Sequence, residues 1–339
     1  MSKSIVVLKF GGTSVADDQG RKAAIRQIRA IKESGRDAVA VVSAMGRLGK
    51  PYATDTLLSL TPEAGDRARD LLMSCGETIA ACVMANELMQ AGIPALPMNG
   101  ASARVITDGA FGRAEVTGMD ISPVLQALSQ GQTPVITGFQ GIGPGGELTT
   151  LGRGGSDTSA VEIGGYLGAE RVLIFTDVPG VAVCDPRLVP EAPYLPVMDS
   201  RDILLLANYG AKVIHPRAVA AGQRHHIPVF VRSTFDDLPG TEITELPQPP
   251  AGLQGVAVLK SCIRSRVKAL DALPVGDGFI LPGGGDLSVV TALRRPLSDA
   301  QLFAASGLGE LSRTGELLHL LVPDAEATET VRRLYEILK

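Results

Sequence analysis

The sequence predicts an α/β fold, a three-layer αβα sandwich around a mainly parallel sheet, followed by a small α+β module. Short runs of β-branched residues alternate with amphipathic helical segments, as in a parallel sheet covered by helices on both faces. Glycine-rich polar turns follow several of these runs, at the strand ends where ligands of such sheets bind. A proline-rich stretch, residues 245–252, then interrupts the alternation.

The elements of the first part follow from short apolar runs and helical periodicity. Ile5–Leu8 is the first predicted strand, and residues 19–34 form the helix after it. The further predicted strands are Ala38–Ser43, Thr133–Thr137, Arg171–Thr176 and Pro228–Val231. The further predicted helices are Gly65–Gly92, Ser200–Asn208 and one that begins at Ala160.

The C-terminal part is predicted as a separate module. Strands are expected at Val256–Leu259 and Leu317–Val322, and helices at Ile263–Leu273 and Ala325–Leu338, compatible with a βαββαβ order. The predicted domains are therefore residues 1–244, a stiff linker at 245–252, and residues 253–339. The turn Pro282–Asp286 is interpreted as a plain loop rather than an anion site.

Composition excludes several classes of function. The 339 residues carry 32 Lys and Arg against 36 Asp and Glu, a net charge of −4, so no general attraction to nucleic acid or anionic membranes is expected. With 4% aromatic residues and no Trp, platforms for base stacking are not expected. The 4 cysteines form no CxxC pair and no leader or spanning segment is recognisable, which favours a cytoplasmic protein with reduced thiols.

A Gly-Gly turn follows the first strand. Lys9–Ser14 reads Lys-Phe-Gly-Gly-Thr-Ser and leads into a helix, and such a turn offers free amides and a lysine to phosphate groups. The lysine precedes the glycines, so this is not a Walker A loop, and the GxGxxG fingerprint is also absent. From these residues alone, phosphate binding and simple tight packing both stay open.

The segment Thr149–Asp157 combines two threonine hydroxyls, three glycines, an arginine and a carboxylate. Glycines let the backbone approach a ligand closely, and Arg153 offers a planar fork to a carboxylate or phosphate. Asp157 can hold a nearby lysine or metal, and it can also serve as a helix N-cap.

Lys9–Val15 and Thr149–Asp157 resemble the motifs of aspartate kinases, within the amino-acid kinase family. The resemblance spans about residues 4–242 and implies the amino-acid kinase fold. It also implies ATP-dependent phosphorylation of the L-aspartate side chain to 4-phospho-L-aspartate, the entry to lysine, threonine and methionine synthesis. The other agreeing segments are Val42–Gly46, Leu72–Glu77, Gly138–Gly141, Ile174–Val178, Asp185–Arg187 and Tyr209–Arg217.

The resemblance implies a role for each matching residue. Lys9 would bridge the β- and γ-phosphates and Asp157 would orient it, whereas Arg153 would hold an aspartate carboxylate and Glu77 its ammonium group. The other implied substrate-binding residues are Ser43, Thr54, Gly154, Gly155 and Ser156. The other implied nucleotide-binding residues are Phe10, Gly11, Gly12, Thr176, Asp177, Arg187, Ala211 and Lys212.

Some features depart from the family pattern. Residues 47–53 lengthen the loop before Thr54, and Ala182 stands where many relatives have an aromatic residue. No protein-built metal site is recognisable, so Mg²⁺ is expected to arrive with ATP and to be held mainly by phosphates. His215 is interpreted as structural.

Aspartate kinases commonly carry two ACT modules that bind lysine or threonine, and the C-terminal part here is too short for two. The resemblance therefore implies a lysine or threonine effector, or a structural remnant, together with a homo-oligomer, expected to be a dimer. Two alternatives remain: another amino-acid kinase acting on glutamate, carbamate or UMP, and a non-catalytic amino-acid-binding regulatory subunit. The latter predicts loss of Lys9, Arg153 or Asp157, yet all three are present.

Overall fold

The computed structural model describes residues 3–265, 271–275 and 278–339. The elements up to the ninth strand are β1 (Ile5–Phe10), α1 (Asp18–Glu33), β2 (Asp37–Val42), α2 (Thr54–Leu58), α3 (Asp66–Gln90), β3 (Ala95–Met98), β4 (Val105–Thr107), β5 (Val116–Met119), α4 (Ser122–Ser129), β6 (Thr133–Thr137), β7 (Gln140–Ile142), β8 (Leu148–Thr150), α5 (Gly155–Tyr166) and β9 (Arg171–Thr176). They continue with β10 (Val197–Asp199), α6 (Ser200–Asn208), α7 (Pro216–His225), β11 (Val229–Ser233), β12 (Thr241–Thr244), β13 (Gly252–Ser265), β14 (Leu273–Val275), β15 (Gly278–Pro282), β16 (Leu287–Arg295), α8 (Asp299–Ser306), β17 (Glu310–Thr314), β18 (Leu317–Pro323) and α9 (Ala327–Leu338).

The chain divides into two compact units. The first unit contains Met1–Gly180 and Ile214–Thr244, and the second contains Val181–Val213 and Glu245–Lys339. Each unit has its own buried apolar cluster.

The first unit is built on a mainly parallel sheet in the order β12-β11-β9-β1-β2-β6-β3. Pairing is parallel from β11 to β3, and only β12 runs antiparallel, against β11. The predicted strands lie in this sheet, with β6 and β9 at the predicted bounds. The predicted α/β fold class is confirmed.

Alternation along β1 separates the two faces of this sheet. Val6, Leu8 and Phe10 are buried in one cluster with residues of α1 and α3. Val7 points the other way, because a side chain added at Gly164 of α5 would contact Val7 Cγ2 at 3.6 Å. Since strand side chains alternate, Lys9 lies on the α5 side and Phe10 on the opposite side. Helices therefore cover both faces, which gives the three layers.

Helix α5 begins at Gly155, five residues before the predicted start at Ala160. Its N-cap is Gly154, with φ of 68° in the left-handed region, which turns the chain into the helix. The first turn reads Gly-Ser-Asp-Thr, residue types with low helix propensity, so periodicity alone does not reveal it.

Helix α3 is the longest helix among the described residues, at 25 residues. By length and composition it could cross a membrane, but half of its most apolar window is buried inside the protein, as in a core helix. Its buried face also carries two acids, Asp70 and Glu77, of which Glu77 lines the cavity described below.

A second, smaller sheet in the first unit has the order β5-β4-β7-β8. Its strands have three or four residues each, too short for a recognisable alternation in the sequence. Strand β8 ends at Thr150 and leads directly into the Arg153 segment.

The second unit contains an antiparallel sheet in the order β14-β15-β13-β16-β18-β17, with α8 and α9. The predicted strands lie within β13 and β18, and the last helix begins at Ala327. The helix predicted at Ile263–Leu273 is wrong where it can be checked, because residues 263–265 belong to β13 and Leu273 to β14. Residues 266–270 lie outside the described residues. Cross-strand pairing of β13 with β15 overrides the local pattern.

Residues 181–213 belong to the second unit, whereas the predicted boundary placed them in the first. Val183, Cys184 and Val189 share a buried cluster with residues of β13, β16, β18 and α9. Cys184 forms a β-bridge with Val256, and Gly210 packs so closely that a Cβ there would lie 2.1 Å from the Val258 carbonyl oxygen. The apolar partners of this segment come from the C-terminal residues, which neighbouring sequence cannot indicate.

Truncation after Thr244 is expected to destabilise the protein, because it uncovers the apolar residues of 181–213. The shortened chain should bind a hydrophobic dye and melt at a lower temperature than the full chain. A full-length Leu334→Ala variant, which loses about 2–5 kcal/mol of core packing, is the control for general destabilisation. A truncated chain as stable as the full one would contradict the division into units.

Candidate active site

A cavity of about 480 Å³ lies in the first unit, beyond the carboxyl ends of β1 and β2. Strand ends, helix α3 and the start of α5 contribute to its wall, so segments distant in sequence meet there. The lining residues are Lys9, Gly12, Ser43, Ala44, Gly46, Thr54, Asp55, Leu58, Met73, Glu77, Gly112, Phe139 and Gly152–Asp157. Most of the residues singled out from the sequence are in this set.

The central contact is an ion pair between Lys9 and Asp157. Lys9 Nζ lies 2.6 Å from Asp157 Oδ1, and the two side chains are 10% and 18% exposed. Lys9 is the last residue but one of β1 and lies on its α5 face, and Asp157 lies in the first turn of α5. The sheet and the helix thereby hold one ammonium group at the cavity wall, as the sequence predicted for these two residues.

Backbone amides add positive potential beside this lysine. Within the described residues, the amides of Ser156 and Asp157, in the first turn of α5, have no backbone acceptor. The start of a 12-residue helix with free amides favours negative charge. The cavity therefore combines a fixed cation with a helix terminus that attracts anions.

Gly12 is required by close packing of two backbone turns. A Cβ at Gly12 would lie 2.7 Å from the Ala44 carbonyl oxygen and 2.8 Å from that of Gly46. The Gly46 amide also donates to the Gly12 carbonyl at 2.9 Å. Gly12 therefore serves tight packing, and it also lines the cavity, so phosphate binding at this turn stays a prediction.

Glu77 is a buried carboxylate with one occupied oxygen. The Ala44 amide donates to Oε1 at 3.1 Å, whereas Oε2 has no hydrogen-bond partner among the described residues. Burial raises the pKa of Glu77 to about 7, opposed by the Ala44 hydrogen bond. A cationic group in the cavity could pair with the vacant oxygen and restore the charge.

Arg153 is exposed and, within the part of the chain that the structure describes, makes no hydrogen bond or ion pair. Its guanidinium is therefore available to an incoming anion. Thr54 opens α2 and reaches the cavity despite the longer loop before it. Ser43 lines the cavity while its amide donates to the Phe10 carbonyl at 3.1 Å.

The predicted nucleotide-binding residues fall into two groups. The Gly11 amide donates to the Phe175 carbonyl at 3.3 Å, so Thr176 and Asp177, at the end of β9, lie beside the Gly-Gly turn. Asp177 also pairs with Arg47 at 3.5 Å. Arg187, Ala211 and Lys212 lie in the second unit, where Arg187 pairs with Asp185.

The side chain of Phe10 does not belong to the site. It is fully buried on the face opposite Lys9 and stacks on Phe175, with ring centroids 5.0 Å apart. Strand alternation makes this unavoidable, because adjacent residues of β1 point to opposite faces. Phe10 instead packs in the core beneath the sheet, where it supports the strand end that leads into the Gly-Gly turn.

Sequence reasoning missed Asp55 and Asp70. Asp55 lines the cavity beside Thr54, and its place in the first turn of the short helix α2 gave no usable signal. Asp70 lies one turn before Ser74 in α3 and is 1% exposed. An acid at a position that should be apolar was the only available indication.

Comparisons with known proteins agree with this geometry. Residues 4–233 match the model of the amino acid kinase family. Over 276 residues the chain is 42% identical to aspartokinase 1 of Bacillus subtilis (strain 168), covering 78% of this chain and 68% of that protein. It is 38% identical to the aspartokinase of Mycolicibacterium smegmatis, covering 80% of this chain and 65% of that protein. The chain thus spans about two thirds of the length of these relatives.

The fold is also that of solved aspartokinases. E. coli aspartokinase III in complex with aspartate and ADP, its R-state, superposes with a TM-score of 0.77, covering 98% of this chain and 99% of that one. The T-state of the same enzyme, in complex with lysine and aspartate, gives 0.74 with the same coverage. At 23% identity, these likenesses show the shared fold.

Gly154→Ala is expected to destabilise the protein strongly. Besides left-handed strain of about 1 kcal/mol, the added Cβ would lie 2.1 Å from His215 Cγ, and overpacking costs about 1–3 kcal/mol more. Gly168→Ala is the matched control, because Gly168 follows the same helix with φ of 60° and nothing within 4 Å. Urea unfolding should separate the two variants, and equal losses would show that the His215 contact is unimportant.

Glu77→Gln is expected to stabilise the protein above neutral pH. The native pKa of about 7 lies above the ordinary 4.5, so the native state binds more protons and the free energy of unfolding falls as pH rises from about 4.5 to 7. At about pH 8 the variant should exceed the wild type by about 1–3 kcal/mol, and at about pH 4 the two should converge. Exposed Glu63→Gln is the control. A stability difference independent of pH would contradict the assignment.

Proposed function

The chain belongs to the amino acid kinase family and, within it, to the aspartokinases, and on this premise we propose that it phosphorylates L-aspartate. The proposed reaction transfers the γ-phosphoryl group of ATP to the side-chain carboxylate and yields 4-phospho-L-aspartate and ADP. The observation that carries the proposal is one cavity in which the Lys9–Asp157 pair faces an unpaired Arg153 and a buried Glu77 with a vacant oxygen.

Aspartate matches the charges of this cavity. It has two carboxylates and one ammonium group, and the cavity offers a guanidinium on Arg153 and a carboxylate on Glu77. A bidentate contact from Arg153 suits a carboxylate, whereas the vacant Oε2 of Glu77 suits an ammonium N–H. In this proposal Ser43, Thr54 and the 154–156 backbone complete the enclosure.

The proposed chemistry requires no general base. The side-chain carboxylate of aspartate is ionised at neutral pH, so one of its oxygens can attack the γ-phosphorus directly. A new O–P bond forms, the bond from the γ-phosphorus to the bridging oxygen breaks, and that electron pair leaves on the β-phosphate of ADP. No proton is transferred, consistent with the absence of a lining histidine among the described residues.

The catalytic contribution of the protein is positioning and charge stabilisation. Lys9 would lie against the β- and γ-phosphates, held in place by Asp157, and the amides of the first turn of α5 would face the same oxygens. In this proposal Gly11, Gly12, Thr176 and Asp177 would face the nucleotide from the neighbouring strand ends, and of these Gly12 lines the cavity.

Mg²⁺ would neutralise charge on the β- and γ-phosphates when bound. The described residues contain no group of three or more His, Cys, Asp or Glu side chains that could hold an ion, and Asp157 is already engaged with Lys9. Phosphate oxygens would therefore be its main ligands.

We also propose that the product enters lysine, threonine and methionine synthesis and that the protein works as a homodimer. For the second unit we propose lysine or threonine as effector. The lysine complex of the structurally similar E. coli enzyme supports this proposal.

The deciding assay measures ADP formation from ATP with L-aspartate, L-glutamate, carbamate or UMP as the acceptor, and hydroxamate formation with L-aspartate identifies the acyl phosphate product. Aspartate-dependent turnover is expected, and turnover with another acceptor alone would replace the proposed substrate. Titration of the same assay with lysine and threonine tests the second unit. Inhibition supports an effector site, whereas no response indicates a structural module.

Lys9→Ala is expected to lower turnover by about 10²-fold or more, because it removes the cation that stabilises the transferring phosphoryl group. The far-ultraviolet circular dichroism spectrum should be unchanged. Lys22→Ala, an exposed lysine of α1, is the matched control and should retain full activity. A Lys9→Ala enzyme with wild-type turnover would overturn this assignment.

A further inference from the structure

Two charged side chains outside the cavity lining hold the same two backbone segments from different sides. We propose that Asp70 and Arg217 are positioning residues that fix the Arg153 loop, residues 150–154. They thereby orient the Arg153 guanidinium toward the substrate carboxylate. The second segment, residues 112–114, is the neighbour of this loop. The inference rests on the proposed function, because it assigns Arg153 to aspartate.

Asp70 accepts hydrogen bonds from backbone amides of both segments. Its Oδ2 accepts from the Thr150 amide at 2.7 Å and from the Gly112 amide at 2.9 Å, and Oδ1 accepts from the Thr150 hydroxyl at 2.8 Å. The side chain is 1% exposed. A buried carboxylate that accepts three hydrogen bonds is well satisfied, and each bond to a charged acceptor is stronger than a neutral one.

Arg217 donates hydrogen bonds to backbone carbonyls of the same segments. Its NH1 group donates to the Leu151 carbonyl, and its NH2 group donates to the Ala114 carbonyl at 2.8 Å. The planar guanidinium can satisfy two carbonyls at once, which a lysine ammonium cannot do with the same geometry.

The two contacts are complementary. The carboxylate accepts from amides of both segments, and the guanidinium donates to carbonyls of both, so each segment is held at both kinds of backbone group. The segments also bond directly, through the Ala114 amide and the Thr150 carbonyl at 2.9 Å. Such a crossed arrangement restricts rotation of the peptides that lead into Arg153.

The first turn of α7 adds a third contact. The ring of His215 packs against Gly154, leaving no room for a Cβ, and His215 Nδ1 accepts from the Arg217 amide at 3.3 Å as the N-cap of α7. The structural role predicted for His215 is therefore to pack against Gly154 and to cap α7. The same turn supplies both the ring beside Gly154 and the guanidinium behind Leu151.

We call the contacts of Asp70 and Arg217 with these two segments the clamp. The clamp acts on one part of the site only. Neither Asp70 nor Arg217 lines the cavity, and among the described residues Lys9 pairs with Asp157 while Glu77 accepts from the Ala44 amide. Loosening the Arg153 loop should therefore weaken aspartate binding while the Lys9–Asp157 contact with phosphates persists. A general loss of stability would instead lower both functions, or neither.

The test compares steady-state kinetics of Arg217→Ala, Arg217→Lys and Asp70→Asn with the wild type. Loss of a charged hydrogen bond predicts a rise of about tenfold or more in KM for aspartate, with KM for ATP changed less than about twofold. Arg217→Lys should fall between the wild type and Arg217→Ala. Millimolar guanidinium added to Arg217→Ala should partly restore the aspartate KM.

Arg224→Ala is the matched control, because Arg224 lies on the same helix but pairs with Glu162. It should lower the melting temperature without changing the aspartate KM. Equal rises in both KM values, or an Arg217→Ala enzyme with the wild-type aspartate KM, would overturn the inference.

Hydrogen exchange separates this inference from the proposed function. The amides of residues 152–155 should exchange faster in Arg217→Ala than in Arg224→Ala, whatever the substrate. A wild type inactive on aspartate, together with this difference, would remove the proposed function and keep the clamp. Unchanged exchange would remove the clamp even if the wild type phosphorylates aspartate.

Discussion

The arrangement of the site depends on one ion pair, between Lys9 near the end of β1 and Asp157 in the first turn of α5. Lys9 and Asp157 are far apart in sequence, and their 2.6 Å contact fixes the end of β1 against the start of α5. It forms because alternation in β1 points Lys9 toward α5 and because Gly154 turns the chain early enough to place Asp157 inside the helix. The Arg153 loop, the free amides and the cavity wall all lie next to this junction.

The predictions from the sequence succeeded where residue type and local position coincide. The parallel strands, α6 and the clustering of Lys9, Glu77, Arg153 and Asp157 at one cavity agree with them. They were wrong where long-range pairing or side-chain direction decides the outcome. Residues 263–265 join a strand because β15 pairs with them, and the Phe10 side chain lies in the core because its neighbour Lys9 occupies the other face.

Other features had only a weak signal in the sequence. Asp70 and Arg217 bind backbone amides and carbonyls, which every residue possesses, so no partner residue identifies their role. The membership of residues 181–213 in the second unit is also invisible locally, because their apolar partners follow residue 245. Sequence motifs indicate the residues that contact ligands, whereas the residues that position them, such as Asp70 and Arg217, become recognisable only in the folded chain.

In the proposed reaction, the vacant oxygen of Glu77 would couple the binding of aspartate to the exchange of a proton with the solvent. Burial keeps this carboxyl partly protonated near neutral pH, since its pKa is about 7. An ammonium group arriving beside it favours the ionised form, so the carboxyl releases a proton to the buffer as the ligand binds. The measured heat of binding should then depend on the ionisation enthalpy of the buffer, and the apparent affinity should increase with pH across the neutral range.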